Sequence, residues 1–109
     1  MAAADINWTG KSGASYGYWI TPIGSSFKSV AGNYIFAKET KPGYWVPVYI
    51  GETEDLNKRL SSHDKEAAAI KLGATHIHNH TTSDETSRLA EEKDLIQKWN
   101  PPLNVEHAS

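Results

Sequence analysis

The stretch from Val48 to His63 constrains the fold more than any other part of the chain. A short apolar run, Val46 to Ile50, ends at Gly51 and is followed by a polar turn. Leu56 and Leu60 then lie four residues apart, the spacing of inward-facing side chains on one turn of a helix. The sequence therefore predicts a strand, a glycine and a helix in that order, an arrangement that places polar groups at the end of a sheet.

Three polar side chains belong to this predicted unit: Tyr49, Arg59 and His63. Because Arg59 and His63 are four residues apart, we expect them to share one face of the helix beside the leucines. Thr53 is the predicted N-cap, since a threonine hydroxyl accepts a hydrogen bond from a free backbone N–H group. A phenol, a guanidinium and an imidazole near one point suit an anionic substrate better than an apolar one.

The other segments predict a small α+β domain. A Pro-Gly dipeptide at residues 42–43 predicts an antiparallel hairpin. The first 15 residues are small and polar, so we expect them to be mostly irregular. The predicted strands lie at residues 16–20, 34–37, 45–50 and 74–80, and further helices are predicted at 65–72 and about 84–99.

Bulk properties exclude several classes of protein. A length of 109 residues predicts one domain over the whole chain. The chain has no cysteine, which excludes disulfides, thiolate zinc sites and a cysteine nucleophile. No signal segment precedes Asp5, and no apolar run approaches the roughly 20 residues that span a bilayer. We therefore expect a cytoplasmic protein with no membrane partner. A net charge of −2 argues against a dedicated nucleic-acid binder but permits a local basic patch.

Glu92 is the most informative position on the predicted last helix. Its neighbours at helical spacing are apolar, so we expect its carboxylate on the buried side of the helix and Glu91 nearer to solvent. A buried carboxylate is costly unless it has a partner. Two interpretations follow: an ion pair with Arg59, or a metal ion held by Glu92.

Taken together, the ordered set of polar residues resembles the GIY-YIG nuclease family. The resemblance covers about residues 32–104 and implies a small central three-stranded antiparallel sheet flanked by helices. Residues 16–20 would add an extra N-terminal strand to that sheet. The matching positions are Gly32-Asn33-Tyr34, Tyr49-Ile50-Gly51, Arg59 ten residues after Tyr49, His63 four residues further on, and Glu92 twelve residues before Asn104.

The resemblance implies a metal-dependent endonuclease that hydrolyses phosphodiester bonds in DNA with one Mg²⁺ or Mn²⁺ ion. Glu92 would be the one protein ligand to that ion, and Arg59 would neutralise the phosphate. Either Tyr34 or Tyr49 would help a water molecule to attack. The remaining implied roles are supporting ones. His63 would form a hydrogen bond with a tyrosine or with the attacking water, and Gly51 and Asn104 would maintain the shape of the site.

Two positions depart from the family pattern. Asn33 replaces the usual apolar residue between glycine and tyrosine, a mild change in a strand. Glu52 stands where members often carry lysine or a small polar residue. Its carboxylate would either repel an incoming phosphate or act as a second metal ligand.

The sequence is also compatible with two alternative functions. The first is a nucleic-acid-binding module of the same fold that cleaves weakly or not at all, which Glu52 and the net charge favour. The second rests on His76, His78 and His80, which alternate and so lie on one face of a predicted strand, where imidazoles can bind Zn²⁺ or Ni²⁺. For an endonuclease of this size, a homodimer or a partner protein would supply specificity for DNA.

Overall fold

A computed structural model describes residues 3–104 as a single antiparallel sheet with helices on both faces. The five strands lie side by side in the order β1-β2-β5-β3-β4. The strands are Ile6–Thr9 (β1), Ser15–Pro22 (β2), Gly32–Lys41 (β3), Tyr44–Thr53 (β4) and His76–Thr81 (β5), and the helices are Leu56–Leu60 (α1), Glu66–Lys71 (α2) and Glu85–Trp99 (α3).

The predicted α+β class and the extra N-terminal strand are confirmed, but the sheet is larger than the three central strands β5, β3 and β4. Residues 3–15 are largely irregular as expected, but the expectation missed β1, which pairs with β2 through Ile6 and its neighbours. Trp8 in β1 is buried and its ring lies against Trp99 of α3. A four-residue strand has little alternation of its own, and tertiary packing of this kind overrides weak local preference.

Alternation along β3 divides the hydrophobic core into two parts. Tyr34 and Phe36 face α1 and α2, where they pack with Leu56 and Leu60. The intervening Ile35 and Ala37 face the opposite side, and Leu95 of α3 belongs to that second cluster. The sheet therefore carries side chains toward both helical layers. Within residues 3–104, no helix is long and apolar enough to span a bilayer.

Helix α1 begins two residues later than the predicted N-cap implied. The side chain of Asp55, not that of Thr53, caps it by accepting a hydrogen bond from the backbone N–H of Lys58 at 3.0 Å. Thr53 instead accepts the backbone N–H of Asp55 through its hydroxyl at 3.1 Å. The helix ends at Leu60, so His63 lies beyond it and does not share a helix face with Arg59.

Candidate active site

Tyr34 lies across β4 at Gly51, its partner in the strand register. A Cβ atom at Gly51 would lie 2.5 Å from both Cζ and the hydroxyl oxygen of Tyr34. No side chain fits there without moving the ring. Because Gly51 has no side chain, it leaves the space that the Tyr34 phenol occupies.

His63 holds the hydroxyl of Tyr34. Its Nε2 atom lies 2.7 Å from the Tyr34 oxygen, and its Nδ1 atom accepts the backbone N–H of Lys65 at 2.9 Å. Because Nδ1 is an acceptor, the neutral ring carries its proton on Nε2 and donates it to Tyr34. Burial, and then the charge of Arg59, lower the pKa of His63 to about 4. At neutral pH, His63 is therefore an uncharged hydrogen-bond donor to the phenol.

Tyr49 lies next to this pair and is half-buried. The centroid of its ring is 5.3 Å from that of His63 and 6.3 Å from that of Tyr34. Burial raises the pKa of both tyrosines, and the positive charge of Arg59 acts against that shift in each. The negative charge of Glu92 also raises the pKa of both. Arg59 and Glu92 therefore lie within electrostatic reach of both phenols.

Arg59 does not pair with Glu92. Its Nη2 atom is 2.8 Å from Oδ1 of Asp64, and both side chains are substantially exposed. The ion pair that was one interpretation of Glu92 is therefore wrong. Asp64 is available because the chain turns immediately after α1 and brings the loop at residue 64 back to the helix.

Glu92 is a half-buried carboxylate without a protein partner in the described part of the chain, residues 3–104: no hydrogen bond or ion pair reaches it there. Burial first, and then the charge of Glu52, raise its pKa to about 7. A carboxylate in this setting lacks the compensation that burial demands. Its oxygen donors are those that hard divalent cations prefer, so the residue fits a Mg²⁺ or Mn²⁺ ion.

The most buried carboxylate on α3 is Glu91, not Glu92, contrary to the expectation from helical spacing. Glu91 is 4% exposed, accepts a hydrogen bond from the hydroxyl of Tyr18 and lies 2.6 Å from Nε2 of His80. The buried residues of α3 are Arg88, Glu91 and Leu95. The helix therefore turns Glu91, and not Glu92, toward the sheet. The contacts of Glu91 with Tyr18 of β2 and His80 of β5 stabilise this orientation of the helix.

Glu52 is neutralised by a residue that sequence reasoning missed. Its Oε1 atom is 2.8 Å from Nε of Arg88, whose side chain is 3% exposed. The signal was present in the sequence, because Arg88 lies four residues before Glu92 and hence on the same side of the helix. The charge of Glu52 is thus balanced inside the protein.

Asn104 supports the strand that carries the site. Its Oδ1 atom accepts the backbone N–H of Ile50 at 2.8 Å, and its Nδ2 atom donates to the carbonyl of Ile50 at 2.9 Å. The amide therefore acts like a neighbouring strand on the free edge of β4, between Tyr49 and Gly51. Leu103 extends this pairing through its backbone N–H to the carbonyl of Val48.

The three histidines of β5 are each engaged by other side chains, and the rings of His76 and His78 both lie against Trp45. His76 lies against the ring of Trp45, His78 accepts the indole N–H of Trp8 at 2.9 Å, and His80 lies against Glu91. Within residues 3–104, no group of three or more His, Cys, Asp or Glu side chains is arranged to hold a metal ion. The structure does not bring these histidines together as a metal site.

Part of the chain is similar in sequence to known proteins. UvrABC system protein C from Pseudomonas putida strain F1 is 33% identical over 64 residues, and the same protein from Pseudomonas syringae pv. tomato is 36% identical over 64 residues. Each match covers 53% of this chain but only 10% of the relative, so the chain spans about a tenth of the length of these proteins. No protein-family model matches the chain.

Solved structures with the same fold come from Thermotoga maritima. They are tyrosine-to-phenylalanine point mutants of the GIY-YIG N-terminal endonuclease domain of UvrC, bound to the catalytic divalent cation. The first is 27% identical, covers 72% of this chain and 86% of the solved chain, and has a TM-score of 0.56. The second, a different tyrosine mutant, is 28% identical with the same coverage and TM-score. In its fold, and in the polar set placed around Tyr34 and Glu92, the chain is similar to the GIY-YIG endonuclease domain of UvrC.

Proposed function

We propose that this chain is an endonuclease that hydrolyses phosphodiester bonds in DNA and depends on one divalent metal ion. The observation that carries the proposal is Glu92: a half-buried carboxylate without a protein partner among residues 3–104, within electrostatic reach of two phenols that Arg59 also reaches. The similar solved domain is an endonuclease bound to a catalytic divalent cation. A site of this composition suits a phosphate diester, whose hydrolysis requires charge neutralisation and an activated water.

Glu92 is the proposed protein ligand, and water and phosphate oxygens complete the coordination of Mg²⁺ or Mn²⁺, since small hard ions retain much of their hydration. When bound, the ion stabilises negative charge on the leaving oxygen. Glu92 is well placed for this role because no competing hydrogen bond from residues 3–104 has to be broken first.

Arg59 is assigned to the scissile phosphate. Its Nη2 atom binds Asp64, the guanidinium also acts on the hydroxyls of Tyr34 and Tyr49, and the side chain, with five N–H donors in all, is 36% exposed. The planar guanidinium can therefore present further donors to phosphate oxygens. Its contact with Asp64 keeps the side chain beside the tyrosines instead of extended into solvent.

Tyr34 is assigned to the attacking water in preference to Tyr49. A phenol is a poor base because its ordinary pKa is about 10, and burial raises the pKa of Tyr34 further. The Nε2–H group of His63 opposes this by donating to the Tyr34 oxygen, which stabilises the phenolate. Arg59 acts on the hydroxyls of both tyrosines, so the donor that distinguishes Tyr34 is His63, and Tyr49 packs beside the pair.

Cleavage of supercoiled plasmid and of branched or flapped DNA, at low salt with Mg²⁺ or Mn²⁺, tests the proposal. We expect nicking by the wild type and none by Glu92→Gln or Arg59→Leu. Glu39→Gln, exposed near the hairpin end of β3, is the matched control and should cut like the wild type.

A folded wild-type protein that cuts none of these substrates, alone or with added metal, would contradict the proposal. A mobility shift with the same DNA would then favour the binding module. Because the net charge is −2, we further propose that tight binding to DNA depends on a second copy or a partner protein. Cleavage that rises more steeply than linearly with protein concentration would support the dimer.

A further inference from the structure

Glu52 and Arg88 form an ion pair at the edge of the proposed metal site. Glu52 directly follows Gly51 on β4, and Arg88 lies one helical turn before Glu92 on α3. The Nε atom of Arg88 is 2.8 Å from Oε1 of Glu52. The pair thus links the strand of the site to the helix that carries Glu92.

Arg88 is held firmly in this position. Its Nη1 atom donates to the carbonyl oxygens of Thr82 and Ser83 at 3.3 and 3.4 Å. Its own carbonyl accepts Nδ2 of Asn33 at 3.0 Å, which fixes the turn of α3 from which the side chain extends. The side chain of Arg88 is 3% exposed, whereas the side chain of Glu52 is 24% exposed. Glu52 is therefore the movable member and Arg88 the fixed one.

Without Arg88, Glu52 would be a second carboxylate beside Glu92. Arg88, whose Nε atom is 2.8 Å from Glu52, lies one helical turn before Glu92 on the same side of α3, so the two carboxylates lie near each other. Hard divalent ions bind more tightly as the number of carboxylate ligands rises. Glu52 would then add a ligand and also cancel the positive charge that a singly coordinated divalent ion offers to a phosphate.

We propose that Arg88 is a positioning residue that holds Glu52 away from the metal, so that Glu92 alone anchors the ion and the ion keeps positive charge for the phosphate. This inference rests on the proposed function of the same site. It gives Glu52 a defined place: its carboxylate is satisfied by Arg88 and neither binds the metal nor faces an incoming phosphate as a free charge. Arg88 acts through Glu52 and touches no reacting atom.

The test is a double-mutant cycle read out as Mn²⁺ affinity, measured by electron paramagnetic resonance of free Mn²⁺ in the absence of DNA. We expect Arg88→Met to bind Mn²⁺ about tenfold more tightly than the wild type, because Glu52 becomes a ligand. Glu52→Gln should weaken binding by less than about threefold in the wild-type background but should abolish the tenfold gain in Arg88→Met. An equal effect of Glu52→Gln in both backgrounds would overturn the inference.

Arg88→Lys provides a second cycle if Arg88→Met does not fold. A lysine keeps the charge but cannot make the contacts of Nε and Nη1 together. We expect a Mn²⁺ affinity between those of the wild type and Arg88→Met, again reversed by Glu52→Gln, and an unchanged affinity would overturn the inference.

Glu92→Gln separates failure of this inference from failure of the proposed function. Binding of Mn²⁺ by the wild type that is lost in Glu92→Gln, together with equal effects of Glu52→Gln in both backgrounds, would overturn only the role of Arg88. A wild type that binds no Mn²⁺ and cuts no DNA would overturn both. Cleavage gives an independent check: Arg88→Met should cut more slowly despite its tighter metal binding.

Discussion

The Nε2 atom of His63 lies 2.7 Å from the hydroxyl oxygen of Tyr34 in the core beneath the proposed site. The other ring nitrogen accepts the N–H of Lys65, so the direction of the hydrogen bond is determined by the backbone. His63 is therefore a donor to Tyr34 and cannot take the phenolic proton in this tautomer. Its contribution to a reaction is to stabilise the phenolate.

Tyr34→Phe and Tyr49→Phe should differ in both stability and activity. Tyr34→Phe leaves the Nε2–H of His63 buried without its acceptor, which costs about 1–3 kcal/mol of unfolding free energy. Tyr49 is half-buried and its hydroxyl interacts with the partly exposed Arg59, which water can hydrate in its place, so Tyr49→Phe should cost less. We expect cleavage to fall by about 10²–10⁴-fold in Tyr34→Phe, as when a general base is lost, and by less in Tyr49→Phe. Urea unfolding and plasmid nicking check this pair, and the reverse order of activities would assign the water to Tyr49.

Gly51→Ala should abolish cleavage by displacing the Tyr34 ring, because the new Cβ would lie 2.5 Å from Cζ and the hydroxyl oxygen of Tyr34. Overpacking of this kind costs about 1–3 kcal/mol. Gly43→Ala is a matched control: it has open space around its Cβ but a φ of +82°, so it is destabilised by backbone strain far from the site. Both variants should unfold at lower urea concentration, and only Gly51→Ala should lose nicking. Full activity in Gly51→Ala would contradict the proposed role of the ring.

Sequence reasoning predicted the β3–β4 hairpin and the positions around Tyr49, because strand, glycine and helix signals lie within a few residues of one another. It misjudged α3, where the apolar Leu89 suggested a buried face that includes Glu92. Leu89 is exposed in the structure, and the inward face carries Arg88 and Glu91. Those two polar groups are stabilised by Glu52, Tyr18 and His80, which are distant in sequence. Periodicity weighs local hydrophobicity alone and does not detect such partners.

Unfolding free energy should fall as pH falls from about 7 to 4 because of His63 and His78. Burial lowers the pKa of each to about 4 in the folded protein, against an ordinary value near 6.5 in the unfolded chain. Between these values the unfolded state binds more protons, so stability is full above about 6.5 and is lost toward 4. At pH 5 each histidine should account for roughly 2 kcal/mol of lost stability. Glu92 acts in the opposite direction, because its raised pKa makes the folded state bind the extra proton as pH falls through about 7. Urea unfolding from pH 5 to 7.5 in Glu92→Gln therefore isolates the histidines, and adding His63→Gln should reduce the slope there by about half.

Asn104→Asp should destabilise β4 more than Asn104→Ala. The aspartate loses the Nδ2 donor and places an oxygen against the Ile50 carbonyl, where the amide now donates at 2.9 Å. Each lost hydrogen bond costs about 0.5–1.5 kcal/mol, and a repulsive contact adds to that cost. Hydrogen exchange at the Ile50 amide should accelerate in both variants, with the larger change in Asn104→Asp. Nicking should fall in the same order, because Tyr49 and Gly51 flank the affected peptide, and unchanged exchange would contradict a supporting role for Asn104.

Mn²⁺ affinity should depend on pH through Glu92. Burial and the charge of Glu52 raise the pKa of Glu92 to about 7, so below that pH a proton competes with the metal for the carboxylate. We expect the dissociation constant for Mn²⁺ to rise about tenfold for each pH unit below 7 and to level off above it. Glu52→Gln removes one of the two causes, which should move the midpoint to lower pH. Electron paramagnetic resonance titrations from pH 5.5 to 8.5 measure both curves, and a pH-independent affinity would mean that Glu92 is not the residue that binds the metal.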